Sequence, residues 1–352
     1  MNWTLLPAAG FGTHAARWDA LRVLGPAAPV LDALFVTALL DSFAEGGEIL
    51  ALCEEDTGLL AAAVLAPQGP MRWTTFQPPQ APVGLWLQRP GADTRALLAS
   101  LTRALPGCAL LVGLTQYDSL LLARPAGNRT QVSSDYIATA RITIDTDFDN
   151  WWSKRGKNLR SNLKKQRNRL AGAGIVTRLE VWRDAEQVEQ AVADYGRLEC
   201  TGWKGRAGTA VAADNAQGRF YRTMLEAFCA RGRGSVVRYT FGDDLVAMDF
   251  CIEDGDCVVI LKTAYDENIA KHYSPALLMR EEACRALFEE GRIRRIEFYG
   301  RVMEWHTRWT SEVRTMYHLT HFRWPMLRYL HGLRRRPTAL PLLPLSTDQD
   351  KL

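Results

Sequence analysis

Between Ser235 and Tyr299 apolar runs alternate with turn signals in an order that few folds can accommodate. Ser235–Phe241 is β-branched and aromatic, and Gly242–Asp243–Asp244 is a turn. Leu245–Ile252 is a second such run, and Asp254–Gly255–Asp256 turns the chain again. Cys257–Ala264 is apolar almost throughout, as suits a strand buried on both faces. Two tight turns between three strands make an antiparallel meander. A polar loop, residues 265–273, then leads to Ser274–Pro275. Serine at the cap and proline at the first helical position favour a helix start. Ala276, Met279, Ala283 and Leu287 recur at helical spacing, Gly291 is a stop signal, and Ile296–Tyr299 reads as a returning strand.

A buried strand that passes through a loop into a helix N-terminus can bind an anion, because first-turn N–H groups lack partners and the helix dipole favours negative charge there. A pyrophosphate would fit. An ordinary strand–helix–strand unit explains the spacing equally well.

Length and composition narrow the alternatives. A chain of 352 residues favours two domains. Its net charge of +4 is too small to demand nucleic acid. Seven cysteines without a C-x-x-C pair argue for a reducing compartment, and no disulfide framework or metal site is expected. Neither a P-loop nor G-x-G-x-x-G occurs, and the first residues lack a basic n-region. A cytoplasmic protein is the expectation.

The first part of the chain repeats the element order. Residues 15–46 predict two helices; 48–53, 58–66 and 71–76 predict strands, 77–84 a Pro-rich loop, 92–104 a helix and 108–114 a strand. The two copies, about 190 residues apart, suggest tandem halves. The loop at 77–84 holds three prolines and no serine cap, so the first half reads as a packing or substrate-shaping partner. Residues 119–122 predict a short helix and 136–144 a strand.

Trp151–Gly172 predicts one helix, with eight Lys or Arg between Lys154 and Arg169 and no acid. It is either a solvated basic face or an electropositive wall for an anionic partner. Residues 202–215 form a glycine-punctuated loop that carries Trp203 and Lys204. Residues 316–322 predict a strand, and 324–333 a short helix docked on the body with its arginines in water.

Four segments together resemble the Gcn5-related acyltransferase (GNAT) superfamily, in its CelD/BcsL-type branch, which is similar to the FemABX peptidyltransferases. They are Lys157–Asn158–Leu159–Arg160–Ser161–Asn162–Leu163, the block Glu199–Ala210 with its Gly202–Trp203–Lys204–Gly205, Tyr273–Ser274–Pro275–Ala276–Leu277–Leu278, and Trp305–His306–Thr307–Arg308–Trp309–Thr310. The resemblance covers about residues 150–315. It implies an α/β (α+β) fold of two GNAT-like halves, each a mixed, mostly antiparallel sheet flanked by helices. The halves would be 1–145 and 146–323, followed by a helix and tail at 324–352. It departs from the superfamily in two places. No glycine lies within 268–276, where Ala276 stands at the branch's usual glycine, and His306 stands where a lysine is usual.

The resemblance implies acyl transfer from acetyl-CoA or another acyl-CoA to an amine on a small molecule or a cell-envelope sugar or polysaccharide precursor, without a metal. Thr263, Ala264, Lys271, His272, Tyr273, Ser274, Ala276 and Leu277 would hold the cofactor. Backbone N–H at 263–264 would face the thioester carbonyl. Tyr273 and Tyr265 are candidate acids for the leaving thiolate, and His306, Asp249 and Glu199 candidate bases. Trp203, Lys204, Tyr265, Trp305 and Arg308 would meet the acceptor. An acyl carrier protein could serve as donor. Two readings stay open beside this one: aminoacyl transfer from tRNA, and a catalytically silent scaffold in envelope polysaccharide assembly. Aromatics with arginines at 323–336 could touch a membrane surface.

Overall fold

The computed structural model describes residues 1–56, 58–200, 211–212, 214–270 and 272–334, with the Arg334 side chain excepted. The first half contains β1 (Asn2–Pro7), α1 (Ala15–Arg22), α2 (Ala33–Phe43), β2 (Ile49–Glu55), β3 (Gly58–Pro67), β4 (Arg72–Thr75), β5 (Trp86–Gln88), α3 (Thr94–Ala104), β6 (Leu111–Tyr117) and β7 (Gln131–Thr143). The second contains α4 (Phe148–Ser153), α5 (Lys157–Gly172), β8 (Thr177–Trp182), α6 (Val188–Cys200), α7 (Ala216–Cys229), β9 (Gly234–Phe241), β10 (Asp244–Asp254) and β11 (Cys257–Tyr265). It ends with α8 (Pro275–Glu290), β12 (Arg295–Glu297), α9 (Glu304–Trp309), β13 (Val313–Phe322) and α10 (Pro325–Arg334).

The meander forms as its turns require: β9, β10 and β11 pair antiparallel in sequence order. The first half does the same with β2, β3 and β4. In each half the helix that follows carries the chain over to a short parallel pairing, β4 with β6 and β11 with β12. The repeated element order is therefore a repeated topology. The α/β expectation is met by a mixed sheet, mostly antiparallel, with helices on its faces.

The sheet is continuous, in the order β1-β2-β3-β4-β6-β13-β7-β12-β11-β10-β9-β8, with β5 on the side of β3. Its centre is a reciprocal exchange. Strand β13 ends the second half yet pairs with β6, and β7 ends the first half yet pairs with β12. Strands β7 and β13 also pair with each other. Neither half can complete its own sheet without the other's final strand.

Alternation along these strands separates two cores. One lies between the sheet and α4, α5 and α8. The other spans both halves and includes residues of α1, α2, α6 and α7. Phe35 of α2 meets Phe220 of α7 edge-on at 5.5 Å.

Local readings differ at three places. The single helix expected over 151–172 is two, α4 and α5, because Gly156 adopts an extended conformation (φ −52°, ψ 135°) ahead of Lys157. Residues 119–122 form a turn rather than a helix, with Leu121 and Leu122 N–H both on the Asp118 carbonyl and Leu120 N–H on its carboxylate. Helix α10 does not bury its apolar face on the body: Met326, Tyr329, Leu330 and Leu333 are all exposed.

Candidate functional site

Strands β11 and β12 stay paired only from Cys257↔Arg295 to Val259↔Glu297, then part. A bulge helps to separate them. Phe250 pairs with Lys262 and Cys251 with Ile260, so Leu261 is the extra residue on β11. A bulge bends and twists the strand that carries it. Beyond it Leu261, Lys262 and Thr263 are only partly buried, although this strand lies inside the sheet. Alternate backbone N–H and C=O groups of 260–265 face the gap, since only β10 pairs with them. The β12 side of the gap continues into Phe298–Tyr299–Gly300. Phe298 donates its N–H to Ala140 O at 3.3 Å, and Tyr299 holds a left-handed φ of 50°.

Helix α8 follows β11 in the chain and packs across the sheet, with Tyr273 just ahead of it against Phe241 at the end of β9. Ser274 is its N-cap, but the serine side chain makes no capping hydrogen bond. The Ser274 N–H instead donates to Gln166 Oε1 on α5 at 2.8 Å, and Gln166 Nε2 lies 3.5 Å from Ser274 Oγ. Leu277 and Leu278 N–H both return to Ser274 O at 3.0 Å. With Pro275 lacking an N–H, the row of free donors expected at 274–277 is shorter than the sequence suggested. The docked α5 carries Lys157, Lys164, Lys165 and Arg169, all exposed. Gln166 was missed from sequence. A polar residue on the buried seam of Leu159, Leu163 and Leu170 was the available signal.

The first half closes the corresponding space with its own chain. Gly84 donates its N–H to Thr115 O at 3.1 Å, and Tyr117 donates its hydroxyl to Trp86 O at 2.5 Å. Trp86 is fully buried beside β3, so the chain's own segment fills the space between the parting strands. The α3 N-terminus is capped by the Asp93 carboxylate, which accepts from Arg95 and Ala96 N–H. That helix end has its anion built in.

Two groups of polar side chains flank the β11–β12 gap, on opposite faces of the sheet. On the α8 face Asp249 is fully buried, 2.6 Å from Arg280 Nη1, and accepts from Arg280 Nη2 at 3.0 Å and from Thr263 Oγ1 at 2.5 Å. Arg280 is itself buried against Phe298. Asp249 is thus the counter-ion of a buried guanidinium. His306 lies close by, stacked on Trp305 at 3.5 Å and edge-on to Phe298. Its Nδ1 accepts the Met303 N–H at 2.9 Å. Burial, with Arg280 adding to it, lowers the imidazole to about 4. The neutral ring therefore carries its hydrogen on Nε2 and offers a donor there, not a lone pair.

On the α6 face Glu199 is buried and lies 3.2 Å from Lys262 Nζ on β11. Its other oxygen accepts the Val211 N–H at 2.9 Å. Tyr195 donates to Glu199 at 3.5 Å, and the Lys262 ammonium sits 5.4 Å and 5.3 Å from the centres of the Tyr195 and Tyr221 rings. Burial first, and Glu199 next, hold both phenols well above their ordinary value. Lys262 was not foreseen, because within an apolar strand a lysine reads as a residue at the strand's end.

Thr263, Ala264 and Tyr265 line the β11 side of the gap, while Tyr273, Ser274, Ala276 and Leu277 surround the start of α8. Burial raises the Tyr265 hydroxyl, with Glu267 adding to it. His272 is exposed, its ring 4.2 Å from that of Tyr273. Arg308 pairs with Glu304 on the surface of α9, 2.9 Å away. Trp203, Lys204 and Lys271 lie outside the described residues.

Residues 157–307 match the family model described as an acetyltransferase (GNAT) domain. Residues 157–307 are thus a GNAT-type acyltransferase domain. The GNAT model begins at the first residue of α5 and ends within α9, so it contains the gap and both polar groups. Solved structures give the same fold over nearly the whole chain. The C-terminal domain of a putative lysylphosphatidylglycerol synthetase from Agrobacterium fabrum is 13% identical, with a TM-score of 0.57 over 92% of this chain and 95% of that one. FemX is 12% identical, with a TM-score of 0.54 over 95% and 99%. L-PGS from Bacillus licheniformis is 11% identical, with a TM-score of 0.52 over 91% and 95%. At these identities they show fold alone. No curated protein matches the sequence.

Proposed function

We propose that the GNAT domain transfers an acyl group, most simply acetyl from coenzyme A, to an amine on a small molecule or a cell-envelope sugar precursor. The observation that carries this reading is the contrast between the halves. The second half leaves β11 unpaired with β12 beyond Val259 and does not cap the following helix with its own serine, whereas the first fills its gap with Gly84–Trp86 and caps α3 with Asp93.

The donor's phosphates would lie between the α8 N-terminus and the basic surface of α5, held by backbone N–H, Ser274 and Lys271. The unpaired edge of β11 at 263–264 would donate to the thioester oxygen as charge develops there. Helices α5 and α8 cover one face of the gap, so the acceptor would come from the other, where Glu199 and Lys262 lie. Glu199 is the best-placed group to take the amine proton, with Lys262 fixing its orientation. Tyr265 and Tyr273 remain the candidate donors to the thiolate. Trp203 and Lys204 follow Glu199 closely in sequence and are proposed to meet the acceptor. The protein would act in the cytoplasm, as a CelD/BcsL-type member of the superfamily.

Calorimetric titration tests the donor. The protein should bind acetyl-CoA and desulfo-CoA saturably at micromolar concentration, and the Ser274→Asp, Lys271→Glu variant should lose both. Absence of binding by every CoA species would remove the CoA-dependent reading and leave aminoacyl-tRNA or carrier protein as donor, or a catalytically silent scaffold.

A further inference from the structure

Helix α10 is built the wrong way round for a helix that packs on a protein body. Met326, Tyr329, Leu330 and Leu333 fall at i, i+3, i+4 and i+7, one continuous face. That face is the exposed one: the four are 64%, 67%, 46% and 54% exposed, and Trp324, just before the helix, is 48% exposed. The side toward the body holds Leu327, Arg328 and His331, with the His331 ring 5.1 Å from Phe322. Scattered exposed apolar residues are ordinary on a protein surface, but a stripe of large ones along a single helix face marks a contact surface.

Charge identifies what it contacts. Residues 323–336 carry five arginines, at 323, 328, 334, 335 and 336, and no Asp or Glu occurs anywhere from 313 to 347. The Arg323 side chain donates to the carbonyls of Thr102 and Ala109, which are neutral acceptors, and it makes no ion pair among the described residues. An apolar stripe with Trp and Tyr, bordered by arginines without acids, suits the boundary between lipid headgroups and acyl chains when the lipids are anionic. No described helix is long and apolar enough to cross a membrane, so the contact is with one surface.

We infer that α10 binds the surface of an anionic membrane, with Trp324, Met326, Tyr329, Leu330 and Leu333 in the headgroup layer. This inference is independent of the acyl-transfer reading. It is tested by sedimenting the full chain with vesicles of phosphatidylcholine alone and with about a quarter phosphatidylglycerol added. The expected result is binding to the anionic vesicles that weakens with salt. It should fall by about tenfold or more in the Tyr329→Ser, Leu330→Ser variant, whose melting temperature stays unchanged because both side chains are already exposed. Acetyl-CoA titration of the same variant should match the wild type.

Failure of the wild type to sediment with either vesicle, or equal sedimentation of wild type and variant, overturns the inference. Two other occupants give distinct results. A concentration-dependent dimer in light scattering that the variant abolishes, without vesicle binding, assigns the stripe to a second copy. Binding that appears only after removal of residues 337–352 assigns it to that segment.

Discussion

The Met303 N–H donates to His306 Nδ1 at 2.9 Å, and this bond decides what the imidazole can do. It uses the lone pair a base would need and places the ring hydrogen on Nε2. With Trp305 stacked on one face and Phe298 at the edge, the ring is held as the start of α9. The geometry thus favours the simplest reading of a lone histidine, a satisfied and buried one.

A pH dependence of stability follows. The folded imidazole titrates at about 4, against 6.5 for a free one, so the unfolded chain takes up the proton first. His306 then contributes stability above pH 6.5 that is lost as pH falls toward 4, by up to roughly 3 kcal/mol. Urea melts between pH 7 and 4.5 should show this slope. His306→Asn should remove about half of it, since the Asn side-chain oxygen can accept the same N–H without titrating, while His321, also buried and lowered to about 4, keeps the rest. The activity profile above pH 6.5 should not change.

Arg280 and Asp249 should behave as one unit. Arg280→Met leaves a buried carboxylate without its counter-ion and should cost about 3–5 kcal/mol in urea unfolding. Replacing both, as Arg280→Met with Asp249→Leu, should recover most of that loss. Independent, additive losses would show that the pair is not coupled.

Glu199→Gln keeps a carbonyl oxygen for the Val211 N–H and removes only the charge. If Glu199 accepts the amine proton, kcat should fall about 10²–10⁴-fold and the lower limb of the pH profile should disappear, with acyl-CoA affinity unchanged. A fall of less than about threefold would return the role to a water path and positioning alone.

The first half should stay closed. A Cβ on Gly84 would lie 2.3 Å from Thr75 Oγ1 and 2.5 Å from Thr115 O, so Gly84→Ala should destabilise by about 1–3 kcal/mol. Acyl-CoA stoichiometry should be one per chain, in the wild type and in a Trp86→Ala variant. Two equivalents would show a second working site.

The reciprocal strands make the halves interdependent. On β13, Arg314 joins Asp118 of the first half at 2.6 Å to Glu297 on β12 at 2.8 Å, all three buried or nearly so. Arg314→Ala should cost about 3–5 kcal/mol, and scanning calorimetry should still show one transition for the whole chain. Two separated transitions would mean that the halves fold independently.

Local chemistry made much of this legible in the sequence. Turns at Gly242 and Gly255, apolar alternation, and Pro275 with Gly291 at the ends of α8 are short-range signals. They specify the meander, the crossover helix and its repeat in the first half, because each depends on residues a few positions apart. The same holds for the start of α8 after β11 and for the basic character of α5.

Long-range placement was decided only in the tertiary structure. Nothing between residues 131 and 143 announces that this strand pairs with β12, because a strand's edge is read by hydrogen bonds that every backbone carries alike. Nothing near Ser274 reveals that Gln166, 108 residues earlier, takes its N–H. The polarity of Asp249 and Glu199 was visible, but not that one meets Arg280 and the other Lys262 on opposite faces. The apolar stripe of α10 was visible too, but only its position in the fold shows that it points outward. The sequence determined which elements form, through propensity and spacing; packing determined which groups meet, because burial and hydrogen bonding act between residues that are distant along the chain.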